Sequence, residues 1–561
     1  MTNTILTLLS SERLEGHTQA GHWGPDTIYA LAARHAARTP ERFALRDQHR
    51  RVTYRDMMAA ADGLAADLEA KGVRPGQRLA VWLPSRIETA VALLACSRNG
   101  YLCCPSLHRD HTTNEILDLL ERTRAQALVT QRAYGADADR NDILASPNLS
   151  KLKALYTLPS VSVALAGGKP FPDLAPAPAV QTEPTSDPNR PMYLAFTSGT
   201  SGSPKGVLHS DNTLLATVHA VARDWALGSE TVVYTLSPLS HNLGMGALIL
   251  ALAIGGELVV HDLPRGNSLL DRIVETGTNY LIGVPTHAID LLNEMRERGM
   301  TSLGRVKGFR ISGAAAPQEV VAELLKLGVV PQSGYGMTET CSHQYTCPGD
   351  DPRLIIESSG RACEGYEIRI FRQDDPDTEA AIGEIGQIAG RGASLMLGYF
   401  NDQAATEDSF NKSGWFLTGD IGWVDEAGFL RITGRKKDVI IRGGHNIYPA
   451  KIEDLAMRHP LLERAAAVPV ADERLGEKVC LAVVTRGRKD LHAEAMLAHL
   501  DEAGLSRFDM PEYFLHLDAM PLTSSGKILK RELVARIQAG GLVPQPVRWH
   551  RPTGNATAKE Q

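Results

Sequence analysis

The sequence predicts an α/β protein of two unequal domains. A large N-terminal domain has sheets sandwiched by helices and carries a β-rich subdomain; a small α+β domain closes the chain. Three observations predict this. Between about residues 52 and 327, short apolar runs alternate with amphipathic segments at the spacing of a mainly parallel sheet covered on both faces. From about residue 360 the texture changes to short strands and glycine turns (GYEIRIF, GEIGQIAGRG, GWFLTGD, GFLRITG). Residues 434–540 then mix strands and helices on their own, which sets the expected domains at 1–433 and 434–561. A chain of 561 residues is also too long for one core.

The elements follow in order. Residues 1–25 read as a polar leader, and a helical pattern begins at Asp26. RLAVW at 78–82 is a buried strand, followed by a helix at 86–98. Residues 159–190, rich in Pro, Ala and Asp, read as a linker or long loop. Strands follow at 192–196, 232–236, 258–261, 280–284 and 308–311, with helices at 247–254, from 284 to about 297, and at 317–327. The C-terminal unit has helices at 449–457, 492–502 and 530–538.

Composition narrows the function. Apolar residues make up 43% and charged residues 22%, the mix of a globular protein that can enclose a pocket. The net charge of −6 comes from 59 basic and 65 acidic residues and argues against nucleic acid as a partner, which needs a basic patch. Seven cysteines without a CxxC pair read as small buried apolar residues in a reducing compartment. The longest apolar stretch, 244–256, is too short for a bilayer and ends in Gly-Gly, so no integral membrane segment is expected and a cytoplasmic location is. Oligomerisation is left open.

Four segments carry chemistry. The first is Thr197-Ser198-Gly199-Thr200-Ser201-Gly-Ser-Pro-Lys205-Gly, directly after a strand. Its amides and hydroxyls can wrap phosphate oxygens, its glycines permit close approach, and Lys205 can neutralise charge. A Gly/Ser/Thr run alone is commonly a flexible loop; ten residues in this order, ending Pro-Lys-Gly, outweigh that. The second is Tyr335-Gly336-Met337-Thr338-Glu339: a carboxylate beside a hydroxyl suits Mg²⁺ shared with phosphate, and the aromatic offers a stacking face. Ahead of it, Ser312-Gly313-Ala314 lets a flat ring approach, though a strand-to-helix turn explains it equally well. The third is Thr418-Gly-Asp420 with Gly434-Arg435-Lys-Lys437; a carboxylate suits two ribose hydroxyls. Gly443-Gly444 then offers backbone against which a slender chain can lie. The fourth is Ser524-Ser-Gly-Lys527, a lysine on a glycine turn before a helix.

In this order the segments resemble the adenylate-forming superfamily of acyl- and aryl-CoA synthetases, peptide-synthetase adenylation domains and luciferase, over about residues 193–533. The resemblance is to the synthetases for medium-chain, alicyclic or aryl acids. It implies ATP, Mg²⁺ and coenzyme A, a small-molecule carboxylic acid, and a mobile C-terminal domain. It implies that the loop from Thr197 to Lys205 holds phosphates and that Gly313, Ala314 and Tyr335 flank adenine. Thr338 contacts phosphate, Glu339 binds the metal, and Asp420 with Arg435 holds ribose. Lys437 is the hinge, Gly443 and Gly444 line the pantetheine path, and Lys527 is the adenylation lysine.

Ser237-Pro-Leu-Ser-His241-Asn242 follows a strand. The resemblance makes His241 the closure of the acid site, with His241, Thr338, Glu339 and Lys527 as the catalytic set. It puts Asn242, Val284, Ser333, Gly336 and Met337 around the acid. Asn242 suits a ring hydroxyl or simply supports its loop. No basic residue stands out in that lining, which points to a monocarboxylic acid. His445 and Lys451 stand where relatives carry acidic residues. The alternative acceptor is an acyl carrier protein in trans; a non-catalytic nucleotide binder is the third reading, opposed by Glu339, Asp420 and Lys527.

Overall fold

A computed structural model describes residues 10–160, 171, 183–197, 204–264, 266–523 and 527–549. The chain forms two compact units. One comprises Met1–Glu384, Ile388–Thr418 and Val424–Arg431; the other comprises Ile385–Gln387, Gly419–Trp423 and Ile432–Gln561.

The first unit is built on two large sheets. In the nine-stranded one, Cys341–Tyr345, Val330–Met337, Gly308–Ile311, Tyr280–Gly283, Val232–Thr235 and Glu257–Val260 lie side by side in that order. The strands from Glu257–Val260 to Val330–Met337 run parallel, and the register sets Ile282, Arg310 and Gln332 next to one another. In the seven-stranded sheet Lys205–Ser210 and Pro191–Thr197 lie beside Leu102–Cys104, Arg78–Trp82, Ala127–Gln131 and Ala154–Leu158. Helix Ile87–Asn99 has every residue buried, as expected of a helix without a polar face. Its Glu88 is held by two arginines, with Arg50 Nη1 at 2.8 Å and Arg86 Nε at 3.0 Å. Helix Asn242–Ile254 is also nearly all buried and ends on Gly255 in the left-handed conformation.

Two boundaries differ from expectation. The polar leader contains helix Ser11–Gln19, capped by Ser10, and beyond it Trp23 is buried and donates to the Ala393 carbonyl at 2.8 Å. Helix Asn242–Ile254 begins five residues before the expected start. Gly244 and Gly246 mask its first turn in the sequence, yet Gly244 is required there, because a Cβ would lie 2.2 Å from the Pro238 carbonyl oxygen. Most of the expected loop at 159–190 lies outside the described residues; within it Phe171 is buried edge-on against Tyr156.

In the second unit the long strands Leu462–Asp472 and Gly476–Thr485 pair antiparallel. Period-two alternation sends Val479, Leu481 and Val483 to one face and Cys480, Ala482 and Val484 to the other, each covered by its own apolar cluster. All seven cysteines are free thiols, six of them buried. Among the described residues no helix is long and apolar enough to cross a membrane.

Candidate active site

The phosphate loop stands on an antiparallel pair. Thr197 ends one strand and faces Lys205 at the start of the next; Ser198, Gly199, Thr200 and Ser201 lie outside the described residues. The Lys205 ammonium sits 4.7 Å from the centre of the Tyr399 ring. The Tyr399 hydroxyl donates to Glu339 Oε1 at 2.9 Å. Loop base and metal-binding candidate are thus joined through one tyrosine.

Tyr335, Gly336 and Met337 end the strand Val330–Met337, and Thr338 and Glu339 form the turn into Cys341–Tyr345. The hairpin is tight enough that a Cβ on Gly336 would lie 1.9 Å from the Cys341 carbonyl oxygen. Tyr335 is buried, with its ring edge-to-face with His343. The turn is anchored from outside. Met396 N donates to the Glu339 carbonyl at 2.7 Å, and the Ser394 hydroxyl donates to that of Thr340 at 2.8 Å. His209, fully buried, contacts the Thr338 carbonyl through Nε2 at 2.7 Å and Thr213 Oγ1 through Nδ1 at 3.0 Å. A carbonyl only accepts, so Nε2 carries the proton; burial pushes this imidazole down to about 4 and keeps it neutral. Glu339 is one carboxylate, and among the described residues no group of three ligating side chains gathers for a metal. Such a donor set fits Mg²⁺ held chiefly by phosphate oxygens rather than by a protein cage.

His241 caps helix Asn242–Ile254. Its ring stacks on His108 at 5.1 Å and 28°, and His108 in turn on His111 at 5.4 Å. His108 Nδ1 lies 3.0 Å from the Ser240 hydroxyl, and burial, reinforced by His111, pushes His108 down to about 4. Behind His241 runs a narrow cavity of about 40 Å³, walled by the helices Asp211–Asp224 and Asn242–Ile254 and floored by the sheet at Ile282, Arg310, Cys341 and Ser342. Of the expected acid-pocket residues Asn242 lines it. Val284, Ser333, Gly336 and Met337 do not, and Arg310, absent from the expected lining, does. Gly313 adopts a φ of 91° just past the strand, and Ala314 beside it is exposed.

In the second unit Asp420, Arg435 and Lys527 come together. Asp420 is buried and accepts from Arg435 Nε at 3.2 Å. Lys527 is half-buried; burial and then the Arg435 charge push its ammonium below the ordinary lysine range, while Asp420 opposes them. Its backbone closes a turn with Thr523, by Lys527 N to Thr523 Oγ1 at 3.0 Å and Thr523 N to the Lys527 carbonyl at 2.7 Å. Lys437 is exposed on the short turn Lys436–Asp438. Gly443 and Gly444, at φ 57° and 85°, form the two-residue link between paired Arg442 and His445, a geometry that by itself calls for glycine. The two departures from the common pattern converge on one carboxylate: His445 Nε2 and Lys451 Nζ lie 2.9 and 3.0 Å from Asp509.

His209, Tyr399, His108 and Arg310 escaped the sequence reading. Each sits in a strand or connection outside the motifs it supports, and only the fold brings it there.

Comparison with known proteins gives the same order of parts. Residues 32–400 match the family model described as AMP-binding enzyme, and residues 451–527 match its C-terminal domain. The medium-chain fatty-acid–CoA ligase of Escherichia coli is 29% identical over 544 residues, 95% of each chain. A methyl-dioxo-octahydroindenyl-propanoyl:CoA ligase of Mycobacterium tuberculosis is 32% identical over 520 residues, covering 90% of this chain and 98% of the other. Among solved structures, ATP-bound MatB from Rhodopseudomonas palustris superposes with a TM-score of 0.79 at 25% identity, over 91% of this chain and 99% of that one. The o-succinylbenzoate CoA synthetase of Bacillus subtilis, in complex with its acyl-adenylate intermediate, gives 0.76 at 26% identity, over 91% and 98%.

Proposed function

The chain belongs to the AMP-binding enzyme family, and on that premise we propose that it is an AMP-forming acid–coenzyme A ligase acting on a medium-chain, alicyclic or aryl monocarboxylic acid. The observation that carries the reading is the gathering of Lys527, Arg435 and Asp420 in one unit, in a chain whose other unit joins Lys205 to Glu339 through Tyr399.

Two half-reactions follow. First, an oxygen of the acid's carboxylate attacks the α-phosphorus of ATP and the bond to pyrophosphate breaks, leaving acyl-AMP. Residues 1–433 position the reactants. Thr197, Ser198, Gly199, Thr200, Ser201 and Lys205 hold the departing phosphates, Gly313, Ala314 and Tyr335 flank adenine, and Thr338 orients the phosphate chain. Mg²⁺ at Glu339 supplies charge neutralisation when bound. Asp420 and Arg435 hold the ribose, and the Lys527 ammonium stabilises charge growing on the phosphate and carboxylate oxygens. Second, the coenzyme A thiolate adds to the acyl carbonyl and AMP leaves. Residues 434–561 move about Lys437 for this step, so that Lys527 withdraws and Gly443 and Gly444 meet the pantetheine. His241 closes the acid site against early attack. The reaction takes place in the cytoplasm.

The test is an asymmetry. Lys527→Ala lowers acid-dependent ATP–pyrophosphate exchange by roughly 100- to 1,000-fold, yet largely spares thioester formation from supplied acyl-AMP. Equal loss in both halves removes Lys527 from its role. Exchange that never yields a thioester with coenzyme A would rule out coenzyme A as acceptor.

A further inference from the structure

Arg310 lies in the strand Gly308–Ile311, all four residues of which are buried. Only 5% of it is exposed, and it lines the narrow cavity behind His241. Nη2 donates to the Ser342 carbonyl at 3.1 Å, and the guanidinium carbon lies 5.6 Å from the centre of the Tyr345 ring. Its Nε–H has no acceptor, while the guanidinium hydrogen-bonds the Tyr280 hydroxyl. The neighbouring strand repeats the pattern. Gln332, in register with Arg310, is fully buried; its Oε1 accepts from the Tyr280 hydroxyl at 2.7 Å, and its Nε2 has no acceptor. A sheet face otherwise covered by Leu214, Val218 and Leu250 therefore holds surplus N–H donors, one on a cation facing the cavity. Buried donors in folded proteins find acceptors, and buried cations find ligands.

We propose that the acid this enzyme activates carries a keto oxygen on its apolar skeleton, and that Arg310 Nε–H donates to it at the cavity floor. This rests on the reading of the chain as an acid-activating ligase. Arg310 stands three residues before Gly313, or roughly 10 Å along an extended strand. The keto group is therefore several bonds from the carboxylate that reacts beyond the strand end. Nη2 donates to the Ser342 carbonyl and the guanidinium also hydrogen-bonds the Tyr280 hydroxyl, so the one donor without an acceptor, Nε–H, suits a single oxygen rather than both oxygens of a second carboxylate. Asn242 lines the same cavity, its side chain hydrogen-bonded with the Cys341 thiol on the floor. Leu214, Val218, Ile282 and Leu250 give the part of the skeleton next to the keto group an apolar lining.

The experiment uses the full chain and ATP–pyrophosphate exchange with matched acids on linear and ring skeletons of medium length: the hydrocarbon acid, its ketone, and its second-carboxylate analogue. Wild type is expected to favour the ketone over the hydrocarbon by about ten- to a hundredfold in kcat/KM, the worth of one hydrogen bond to a charged group. Arg310→Met keeps the volume and removes the donor; the ratio of ketone to hydrocarbon use falls to about one, the ketone losing about ten- to a hundredfold more than the hydrocarbon acid. If Arg310→Met melts far below wild type, Arg310→Gln takes its place, and the preference must weaken without vanishing. Equal use of ketone and hydrocarbon by wild type, preference for the second carboxylate, or an unchanged ketone preference in Arg310→Met each overturns the inference while leaving the ligase intact. No exchange with any acid overturns the ligase reading and this inference with it.

Discussion

Tyr399→Phe isolates one hydrogen bond in the site proposed for MgATP. The hydroxyl donates to Glu339 Oε1 at 2.9 Å from a ring that is 8% exposed, so water does not readily replace it. Phenylalanine keeps the ring beneath Lys205, and the cation contact at 4.7 Å survives. What is lost is one hydrogen bond that helps to fix which way the carboxylate faces. A hydrogen bond to a charged acceptor is worth about 1.5–3 kcal/mol. If that energy serves orientation, it converts to about a ten- to hundredfold fall in kcat/KM for MgATP, the range expected for partners that orient metal ligands. Acid-dependent pyrophosphate exchange, measured across a Mg²⁺ titration, should show the loss shrinking as Mg²⁺ rises, with the KM for the acid unchanged. Tyr399→Leu should lose about a further 0.5–1 kcal/mol, since the cation–π contact goes as well. A Tyr399→Phe enzyme with wild-type Mg²⁺ dependence would refute the reasoning, because Glu339 would then be aimed without the Tyr399 hydroxyl.

Three further outcomes follow from the first unit. Gly336→Ala must open the hairpin that carries Thr338 and Glu339, since the new Cβ falls 1.9 Å from a backbone oxygen; pyrophosphate exchange should be nearly abolished while circular dichroism stays near wild type. Asp211 is buried, accepts from Ile28 N at 2.8 Å and Ser97 Oγ at 2.9 Å, and burial pushes its carboxyl up to about 6. A raised folded-state value means the native state binds the proton more tightly, so stability from this group declines as pH rises from about 4 to 6 and is flat above; Asp211→Asn should flatten that slope in urea unfolding and stabilise at neutral pH by at most roughly 3 kcal/mol. Glu88→Gln leaves the buried guanidiniums of Arg50 and Arg86 without their shared carboxylate, though Arg50 keeps Asp47; a loss of about 3–5 kcal/mol in urea unfolding is expected, and a loss below 1 kcal/mol would show that water or Asp47 compensates.

The sequence was legible where physics is local. Strands such as residues 308–311 and helices such as Lys530–Gln538 are short apolar runs or periodic segments bounded by glycine and proline, and the structure places them where those signals stand. The turn chemistry was legible too, but with more than one meaning. Gly443 and Gly444 were readable as a surface for a slender chain, and the hairpin they close is reason enough for both. Helix Asn242–Ile254 was truncated in the reading because Gly244 and Gly246 lower helix propensity by about 1 kcal/mol each. Tertiary contact reversed that penalty, since only glycine passes the Pro238 carbonyl. The trio around Lys527 was found as separate motifs; that Asp420 and Arg435 share its electrostatics required the turn that carries Lys527 to meet two neighbouring strands much earlier in the chain.

The cavity lined by Asn242 and Arg310 shows why side-chain direction is the least legible layer. Val284, Ser333, Gly336 and Met337, which the resemblance puts around the acid, stand outside this cavity; matching a motif gives position along the chain and not which face a residue takes. Arg310 inverts the case. An arginine inside an apolar strand reads as an edge residue with its charge in solvent, and period-two alternation alone does not say which face is covered. Here both faces are, by helices Asp211–Asp224 and Asn242–Ile254 on the cavity side, so the charge has no route to water and must be met inside. The feature on which the proposed substrate most depends is therefore a residue whose surroundings arise only when two helices distant from it in sequence close over its strand.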